Sequence, residues 1–284
     1  MSKKIAVITD SSASLSDELL KEYNIFTSYL LIVFGNDYYQ EFKEISPEKF
    51  AELSAAQEEL PTTSQPAIGV TMELYESILA QGYDDIIHIT ISSGLSGSYQ
   101  SAVNAAEMVS ADKIHVFDSK SVAFPQGALA IKASQLATEG EDVKAIIHAL
   151  ETMQTTMHVS ATVKTLENLK KGGRLSNASA VIGSMLQVKP VVSMSAEGKL
   201  EAVAKVRTFK KAIAALVDMV REANLDETYE IGVIHVLNPE EGMQLQAMIS
   251  EIYPSIKIDL IPLSLVVSAH VGEGTLAVTW AKTN

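Results

Sequence analysis

The feature that most constrains the fold of this chain is an apolar run that stops abruptly at a turn of small residues. Residues 86–91 read IIHITI, which is typical of a strand buried on both faces, and Ser93–Ser98 read SGLSGS. A helical pattern over residues 97–109 follows at once. A helix that starts at such a turn leaves its first backbone N–H groups unpaired, and its dipole adds partial positive charge there. We therefore expect an α/β sheet that presents this turn to an anionic group.

Strands and helices are predicted to alternate through the first half of the chain. The predicted strands lie at 4–9, 26–34, 86–91 and 113–117. The predicted helices lie at 15–22, from the start signal Ser46-Pro47 onward, and at 65–81, 97–109, 121–138 and 142–155. This alternation predicts a mostly parallel sheet with helices on both faces.

The second half contains a different mixture of elements. The predicted helices lie at 162–170, 175–188, 208–223 and 239–252, and the predicted strands at 191–195, 199–207, 230–237, 257–262 and 274–280. We expect Pro190 to stop a helix and Glu197-Gly198 to turn a hairpin, so a mixed sheet is predicted here. A chain of 284 residues is long for one core, and we predict an N-terminal α/β domain (1–159) and a C-terminal mixed α/β domain (160–284).

Charge and cysteine content exclude several classes of protein. The net charge of −13 disfavours general nucleic-acid binding. Residues 160–211 nevertheless carry a net charge of +7, which indicates either a solvated basic surface or a docking face for an acidic partner or ligand. Cysteine is absent, which excludes disulfides and thiolate metal sites, and no HExxH metal motif occurs. No apolar run reaches the ~20 residues that span a bilayer, so we expect a cytoplasmic protein without stable membrane insertion.

Four polar clusters lie at the ends of predicted elements, and hydroxyl groups predominate in three of them. The clusters are Thr9–Ser12, Thr62–Pro66, Ser93–Ser98 and His270–Gly274. The first and third follow strands of a parallel sheet, whose carboxyl ends line one edge where ligands bind. Several neutral donors and one histidine suit a carboxylate ligand. Each cluster is also explained as helix caps and turn residues, and both interpretations stay open.

The basic region contains a glycine pair directly before Arg174, and the role of this arginine is also open. Lys170–Arg174 reads KKGGR and joins two predicted helices. The glycines permit a tight turn. The basic residues either complement a helix C-terminus or present Arg174 to an acidic or phosphorylated group.

Six short strings follow one another along the chain in a characteristic order and spacing. They are ITDSS from Ile8, TSQP from Thr63, SGLSGSY from Ser93, FDS from Phe117, KGGRLS from Lys171 and HVGEG from His270. Each string alone is weakly specific. Together they resemble the DegV family of bacterial fatty-acid-binding proteins, and the resemblance covers nearly the whole chain.

The resemblance implies a two-domain α/β protein with a long tunnel for the acyl chain of palmitate, stearate or oleate. It places the fatty-acid carboxylate at Thr63, Ser96, the backbone of Gly97, and His270. It gives Ser64, Ser93 and Arg174 supporting or partner-contacting roles. It also implies a non-catalytic protein without a cofactor or metal. Such a protein presents the acid to a separate ATP-dependent fatty acid kinase, similar to dihydroxyacetone kinases, within phospholipid metabolism.

Three apolar segments are candidates for the lining of such a tunnel, although core packing explains them equally well. They are Ala67–Leu79, Val181–Val188 and Leu260–Val267. Two departures from the family pattern bear on chain selectivity or partner docking. Glu273 stands where the family often has proline, and Val122–Gly127 is bulkier than expected.

The main alternative function is a serine hydrolase. Ser96, Asp118 and His270 occur in the nucleophile, acid, base order of α/β-hydrolases. The sequence GLSGS nearly fits the G-x-S-x-G elbow, but Ser98 stands where the strained elbow needs glycine. A phosphate- or nucleotide-binding enzyme is a third interpretation, and it lacks both the P-loop lysine and the G-x-G-x-x-G spacing.

Overall fold

The computed structural model describes residues 3–57, 59–176 and 188–283, and within them the chain forms an α/β structure with three β-sheets. The first sheet is wholly parallel and has the order β2-β1-β6-β7. Its strands are β1 (Ile5–Asp10), β2 (Ile25–Ser28), β6 (Asp85–Thr90) and β7 (Ile114–Asp118). The predicted α/β fold with a mostly parallel first sheet is therefore confirmed.

Helices cover both faces of the first sheet, because successive side chains of β1 and β6 point to opposite faces and apolar residues lie on both. Ala6 and Ile8 of β1 pack with α3 (Ile68–Ala80) and α4 (Ser98–Val109). Ile5 and Val7 face the other way and pack with α5 (Phe124–Glu139) and α6 (Val143–Gln154). Every residue of β1 and β6 is buried, as the continuous apolar runs predict.

The second sheet is mixed and has the order β10-β9-β8-β13-β11-β12. Its strands are β8 (His158–Thr162), β9 (Lys189–Met194), β10 (Leu200–Val206), β11 (Tyr229–His235), β12 (Ile258–Pro262) and β13 (Leu276–Lys282). Only the β11–β12 pair is parallel among these described strands. One face packs on α8 (Phe209–Glu222) and α9 (Pro239–Ile252). The predicted mixed sheet and its β9–β10 hairpin are confirmed.

The third sheet is small, antiparallel and not predicted from the sequence. Its order is β4-β3-β5, with β3 (Leu31–Phe34), β4 (Asp37–Gln40) and β5 (Thr62–Ser64). Its apolar side packs against α10 (Leu265–Val271), the helix that bears His270. The remaining helices are α1 (Asp17–Glu22), α2 (Pro47–Ala56) and α7 (Glu167–Lys171).

Two sequence-based predictions of elements are wrong. The strand predicted at 26–34 is two strands, because the chain leaves the first sheet after Ser28 and enters the third sheet at Leu31. The helix predicted at 162–170 is preceded by β8, and its helical part begins only at Glu167. Pro190 lies near the start of β9, a position in a strand that tolerates proline, and the helix that it was expected to stop falls mostly outside the described residues.

Two further predictions are not tested. Residues 177–187 of the predicted helix 175–188 lie outside the described residues. The predicted domain boundary between residues 159 and 160 falls inside β8, and the division into two domains stays a prediction. In the part of the chain that the structure describes, no helix is both long and apolar enough to cross a membrane.

Candidate functional site

The turn after β6 lies at the carboxyl edge of the first sheet, where the ends of three neighbouring strands meet. The Asp10 carboxylate at the end of β1 accepts a hydrogen bond from the Ile91 N–H at 2.7 Å. The Asp118 carboxylate at the end of β7 accepts from the Ser93 N–H at 3.1 Å and from the Ser93 hydroxyl at 2.5 Å. Both carboxylates therefore hold the turn in place by hydrogen bonds. This confirms the expectation that the clusters at Thr9 and Ser93 share one edge of the first sheet.

The second half of the turn leads into helix α4, and two serines bond to each other there. The Ser96 hydroxyl accepts from the Ser98 N–H at 3.2 Å and lies 2.9 Å from the Ser98 hydroxyl. Gly97 precedes the helix, and a Cβ added there would lie 3.2 Å from the Gln65 side chain. The turn and the loop that follows β5 are therefore in close contact, and this contact leaves little space for a side chain at position 97.

The hairpin of the second sheet also fixes the turn, which sequence reasoning missed. The Ser92 hydroxyl donates to the Gly198 carbonyl at 2.6 Å. A Cβ added to Gly94 would lie 2.4 Å from the same carbonyl oxygen. Gly198 itself has a φ of +74°, which favours glycine. The two backbones approach so closely because both positions lack a side chain.

Thr63 and His270 form a hydrogen-bonded pair although they are 207 positions apart in the sequence. The Thr63 hydroxyl lies 2.7 Å from His270 Nε2. Thr63 is on β5 of the third sheet, and His270 is in the last turn of α10. Burial, assisted by the charge of Arg174, lowers the pKa of His270 to about 4. The imidazole is therefore neutral near pH 7, with one N–H donor and one acceptor.

Arg174 connects the His270 region to the turn. Its Nε donates to the Leu95 carbonyl at 3.0 Å, and its Nη1 donates to the Gly172 carbonyl. Gly172 packs against the histidine, since an added Cβ would lie 2.7 Å from His270 Nδ1. Arg174 is half-buried rather than fully exposed, because two backbone carbonyls hold its guanidinium inward. Thr63 and His270 are thus bonded to each other, and Arg174 and the turn residue Ser96 lie close to them; these four residues are the polar group of the site.

A cavity of about 90 Å³ lies directly behind this polar group. Thr63, Ser96, Arg174 and His270 all line it. The rest of the lining is mainly apolar and comes from β8, β9, β11, β13, α10 and the loops at the sheet edge. It includes Leu30, Ile91, Leu95, Val122, Ala123, Val159, Ala161, Leu169, Val192, Met194, Leu200, Ile234, Leu263, Val266, Val267, Val271 and Ala277.

The predicted lining segments differ in their positions. Leu263, Val266 and Val267 of the segment Leu260–Val267 line the cavity. The segment Ala67–Leu79 does not, since α3 packs on the first sheet. Residues 181–187 of the third segment lie outside the described residues. Val122 and Ala123 of the bulky segment Val122–Gly127 do contribute to the lining.

Three of the predicted site residues do not line the cavity. The Ser64 hydroxyl donates to the neighbouring Gln65 carbonyl at 2.9 Å. Ser93 is held by Asp118, and Gly97 lies beside Gln65. None of these residues is among the lining residues of the cavity, although Ser64 directly follows Thr63 and Gly97 directly follows Ser96, which both line it.

The side chains of the proposed hydrolase do not form a catalytic relay. Such a relay needs hydrogen bonds from nucleophile to base and from base to acid. Ser96 bonds to Ser98, His270 bonds to Thr63, and Asp118 bonds to Ser93. All three side chains are described, and each is directed to a partner outside the supposed triad. Across the described ranges, no three His, Asp or Glu side chains are grouped as a metal site.

Comparisons with known proteins cover the whole length of the chain. A family model described as "Uncharacterised protein, DegV family" matches residues 4–283. A DegV domain-containing protein of Staphylococcus aureus is 39% identical over 276 residues, which is 96% of each chain. A second, from Listeria innocua, is 34% identical over 285 residues, which is 99% of each chain.

Two solved structures are similar to the chain in both fold and sequence. One is DegV, a fatty acid binding protein from Bacillus subtilis, with 37% identity and a TM-score of 0.88 over 99% of this chain and 100% of that chain. The other is a fatty acid binding DegV family protein from Streptococcus agalactiae, with 30% identity and a TM-score of 0.91 over the same shares.

Proposed function

This chain belongs to the DegV family, and we propose that it binds a long-chain fatty acid such as palmitate, stearate or oleate. The first part of the tail occupies the cavity, whose lining must move apart to admit the rest of the chain, and the carboxylate lies at the polar group of Thr63, Ser96 and His270. The observation that carries the proposal is the uneven polarity of one cavity, whose hydroxyl and imidazole groups are connected at one place while the remaining lining is mainly apolar. The similar proteins from B. subtilis and S. agalactiae are fatty acid binding proteins.

The tail supplies most of the affinity in this proposal. Full burial of the roughly fourteen methylenes of a C16 acid, at ~0.8 kcal/mol each, stabilises the complex by about 11 kcal/mol before the losses of association. The carboxylate contributes mainly orientation. One proton of the Thr63–His270 pair is used in their mutual hydrogen bond, and the other is free to donate to the carboxylate together with the Ser96 hydroxyl. These neutral donors leave the charge of the carboxylate in place, so its oxygen atoms stay nucleophilic.

A cavity-filling substitution tests where the tail lies. Ala161 is a buried residue of β8 that lines the cavity. We expect Ala161→Leu to lower the affinity for palmitate by about tenfold or more, because its added isopropyl group occupies space that the tail needs. The unfolding free energy of the ligand-free protein should stay within about 1.5 kcal/mol of wild type, because the new group fills existing space. Calorimetric titration of delipidated protein and urea denaturation measure the two effects.

The matched control is an alanine in the solid core between the first sheet and its helices. Ala133 of α5 is fully buried and does not line the cavity. Ala133→Leu should destabilise the protein by about 1–3 kcal/mol through overpacking, with little change in affinity. If Ala161→Leu binds palmitate as tightly as wild type, the tail lies elsewhere. Native mass spectrometry of protein from bacterial cells gives an independent check, because a co-purified C16–C18 acid is expected.

We further propose that the bound acid is the substrate of a separate ATP-dependent fatty acid kinase, and that this chain is the non-catalytic, acid-presenting component. A carboxylate oxygen attacks the γ-phosphorus of ATP, the bond to the β-phosphate oxygen breaks, and ADP leaves. Arg174 supports this step because its fixed guanidinium lies beside the carboxylate end and can hold the acyl-phosphate product. The net charge of +7 over residues 160–211 favours an acidic partner surface. A cytoplasmic location is part of the proposal.

An arginine substitution separates presentation from binding. We expect Arg174→Ala to keep fatty acid affinity within about threefold of wild type, since the tail supplies most of it. Acyl-phosphate formation with a partner kinase should fall by about a hundredfold or more, because the charge that faces the phosphoryl group is gone. The measurements are calorimetric binding and transfer of ³²P from ATP. Equal losses in the two assays would contradict this division of roles.

A further inference from the structure

We infer that Glu41 is a positioning residue for the polar end of the cavity: it holds the helix that bears His270 in the place where the imidazole meets Thr63. The expected effect of Glu41 on ligand affinity rests on the proposed fatty acid binding. The expected effect of Glu41 on the position of His270 does not rest on it, so an experiment can test the positioning role and the proposed function separately.

Glu41 is a fully buried carboxyl group in contact with two elements. It follows β4, and its side chain has no solvent exposure. Its backbone N–H donates to the Leu30 carbonyl at 3.2 Å, which fixes it to the third-sheet region. Its Oε1 accepts from the Val266 N–H in the first turn of α10 at 3.1 Å. Glu41 therefore ties the beginning of α10 to the third sheet.

The same sheet and the same helix meet again at the other end of the helix. Thr63 of β5 pairs with Ile32 of β3, and its hydroxyl meets His270. Between these two points the sheet and helix share one apolar cluster, which includes Ile32, Val266 and Ala269. With a rise of about 1.5 Å per residue, Val266 and His270 lie only about one helical turn apart. A rotation or shift of the helix at Glu41 is therefore passed directly to the imidazole.

Packing of the core does not by itself explain why a carboxyl group is buried at position 41. Burial raises the pKa of Glu41 to about 7, while the Ser11 hydroxyl and the N–H groups of Val266 and Leu265 act in the opposite direction. A buried ionisable group is often replaced by an apolar one without loss of stability. A carboxyl group kept at this point is explained by the one contact that an apolar residue cannot make, the hydrogen bond to the helix.

Loss of Glu41 is not expected to unfold α10, because its start has further caps. The Ser264 hydroxyl accepts from the Val267 N–H at 3.4 Å, and the Ser264 N–H donates to the Ser14 hydroxyl at 3.1 Å. These bonds keep the helix formed and attach it to the segment after β1. They reach the third-sheet region only through the Ser264 hydroxyl, which also bonds to Glu41, and so the distance from the helix to Thr63 depends on Glu41.

Glu41→Leu and Glu41→Gln test the inference as a pair. Glutamine keeps an acceptor oxygen at the same reach, and leucine has none. In ligand-free protein, NMR titration should show the His270 pKa at about 4 in wild type and in Glu41→Gln. In Glu41→Leu it should move up by about one unit or more, because the displaced ring gains solvent. Palmitate affinity should fall about tenfold in Glu41→Leu and stay within about twofold in Glu41→Gln.

Two further variants serve as a control on α10 and as a substitute for Glu41→Leu. Ser268→Ala removes a different hydrogen bond of α10, from the Ser268 hydroxyl to the Ser264 carbonyl, and should leave the His270 pKa unchanged. If Glu41→Leu does not fold by circular dichroism, Glu41→Asp, which withdraws the carboxylate by one methylene, should change the pKa in the same direction. An unchanged His270 pKa in both Glu41→Leu and Glu41→Asp, or the same change in Glu41→Gln, overturns the inference. If wild type binds no fatty acid while the His270 pKa responds as expected, the proposed function fails and the positioning role stands.

Discussion

The polar end of the cavity is assembled from two regions that the chain builds in different ways. The turn Ser92–Ser98 is shaped by its own backbone: the N–H groups of Leu95 and Ser96 both donate to the Ser92 carbonyl, at 3.0 and 3.1 Å. The pair Thr63–His270 is a contact between two side chains from distant parts of the chain. The first region should therefore be sensitive to changes of shape, and the second to changes of chemistry.

The largest expected effect is a change of shape in the turn. In Gly94→Ala the new Cβ would lie 2.4 Å from the Gly198 carbonyl oxygen, which belongs to backbone and cannot rotate away. We expect the unfolding free energy to fall by about 1–3 kcal/mol in urea denaturation, because the hairpin must move.

The matched control is a glycine with open space around it. A Cβ added to Gly69 on α3 would meet nothing within 4 Å. Gly69→Ala should therefore stabilise the protein, by up to about 1 kcal/mol, because alanine favours the helix. If both variants change stability equally, the close approach of Gly94 to the hairpin does not define the turn.

A change of chemistry in the second region should act on binding rather than on stability. Thr63→Val removes the hydroxyl and keeps the branched shape. Since hydrogen bonds to charged groups contribute about 1.5–3 kcal/mol, we expect fatty acid affinity to fall by about 10- to 100-fold in calorimetric titration. His270→Ala should act in the same direction, and Ser96→Ala should have less effect because Ser98 also contacts that hydroxyl.

The ligand itself supplies the control for this prediction. A fatty acid methyl ester keeps the tail but has no carboxylate charge. Wild type and Thr63→Val should therefore bind the ester with nearly equal affinity. A loss that is just as large for the ester would show that Thr63 acts on the tail or on the fold.

A last comparison distinguishes two ionisable groups, the partly buried His270 and the fully buried Glu41, by the sign of their pH dependence. His270 has a pKa near 4 when folded, against 6.5 in its ordinary state. The unfolded chain therefore binds more protons in this range, and the stability that neutral His270 allows is present above pH 6.5 and lost as the pH falls toward 4. His270→Gln should reduce the fall in unfolding free energy between pH 7 and pH 4.5, measured by urea denaturation at each pH.

Glu41 should give the opposite sign in the same measurement. Its pKa is about 7 when folded, against 4.5 in its ordinary state. The folded protein therefore holds the proton more tightly, and the stability from this group is present below pH 4.5 and lost as the pH rises through 7. Relative to Glu41→Gln, wild type should lose stability between pH 5 and pH 7.5. Slopes of the same sign for the two groups would mean that one of these environments is wrongly described.

Periodicity predicted the core of the first sheet well because the signal is local. The run at residues 86–91 and the glycines and serines after it lie within a few residues of one another, so strand, turn and helix follow from neighbouring side chains. The prediction of one strand at residues 26–34 failed for the same reason. No glycine or proline interrupts this run, and only pairing of β2 with β1 and of β3 with β4 and β5 separates it into two sheets.

By itself, the sequence determined the α/β alternation and the sheet edge at which hydroxyl groups gather, and it singled out His270 as a candidate for a binding site. Only the tertiary structure decided that Thr63 stands on a strand, that His270 stands on a helix facing it, and that Arg174 turns inward to the Leu95 carbonyl. The physical reason is that β5 and α10 are too short to be stable or recognisable alone. Their form comes from burial against each other and from hydrogen bonds to residues more than two hundred positions away, such as that between Glu41 and Val266.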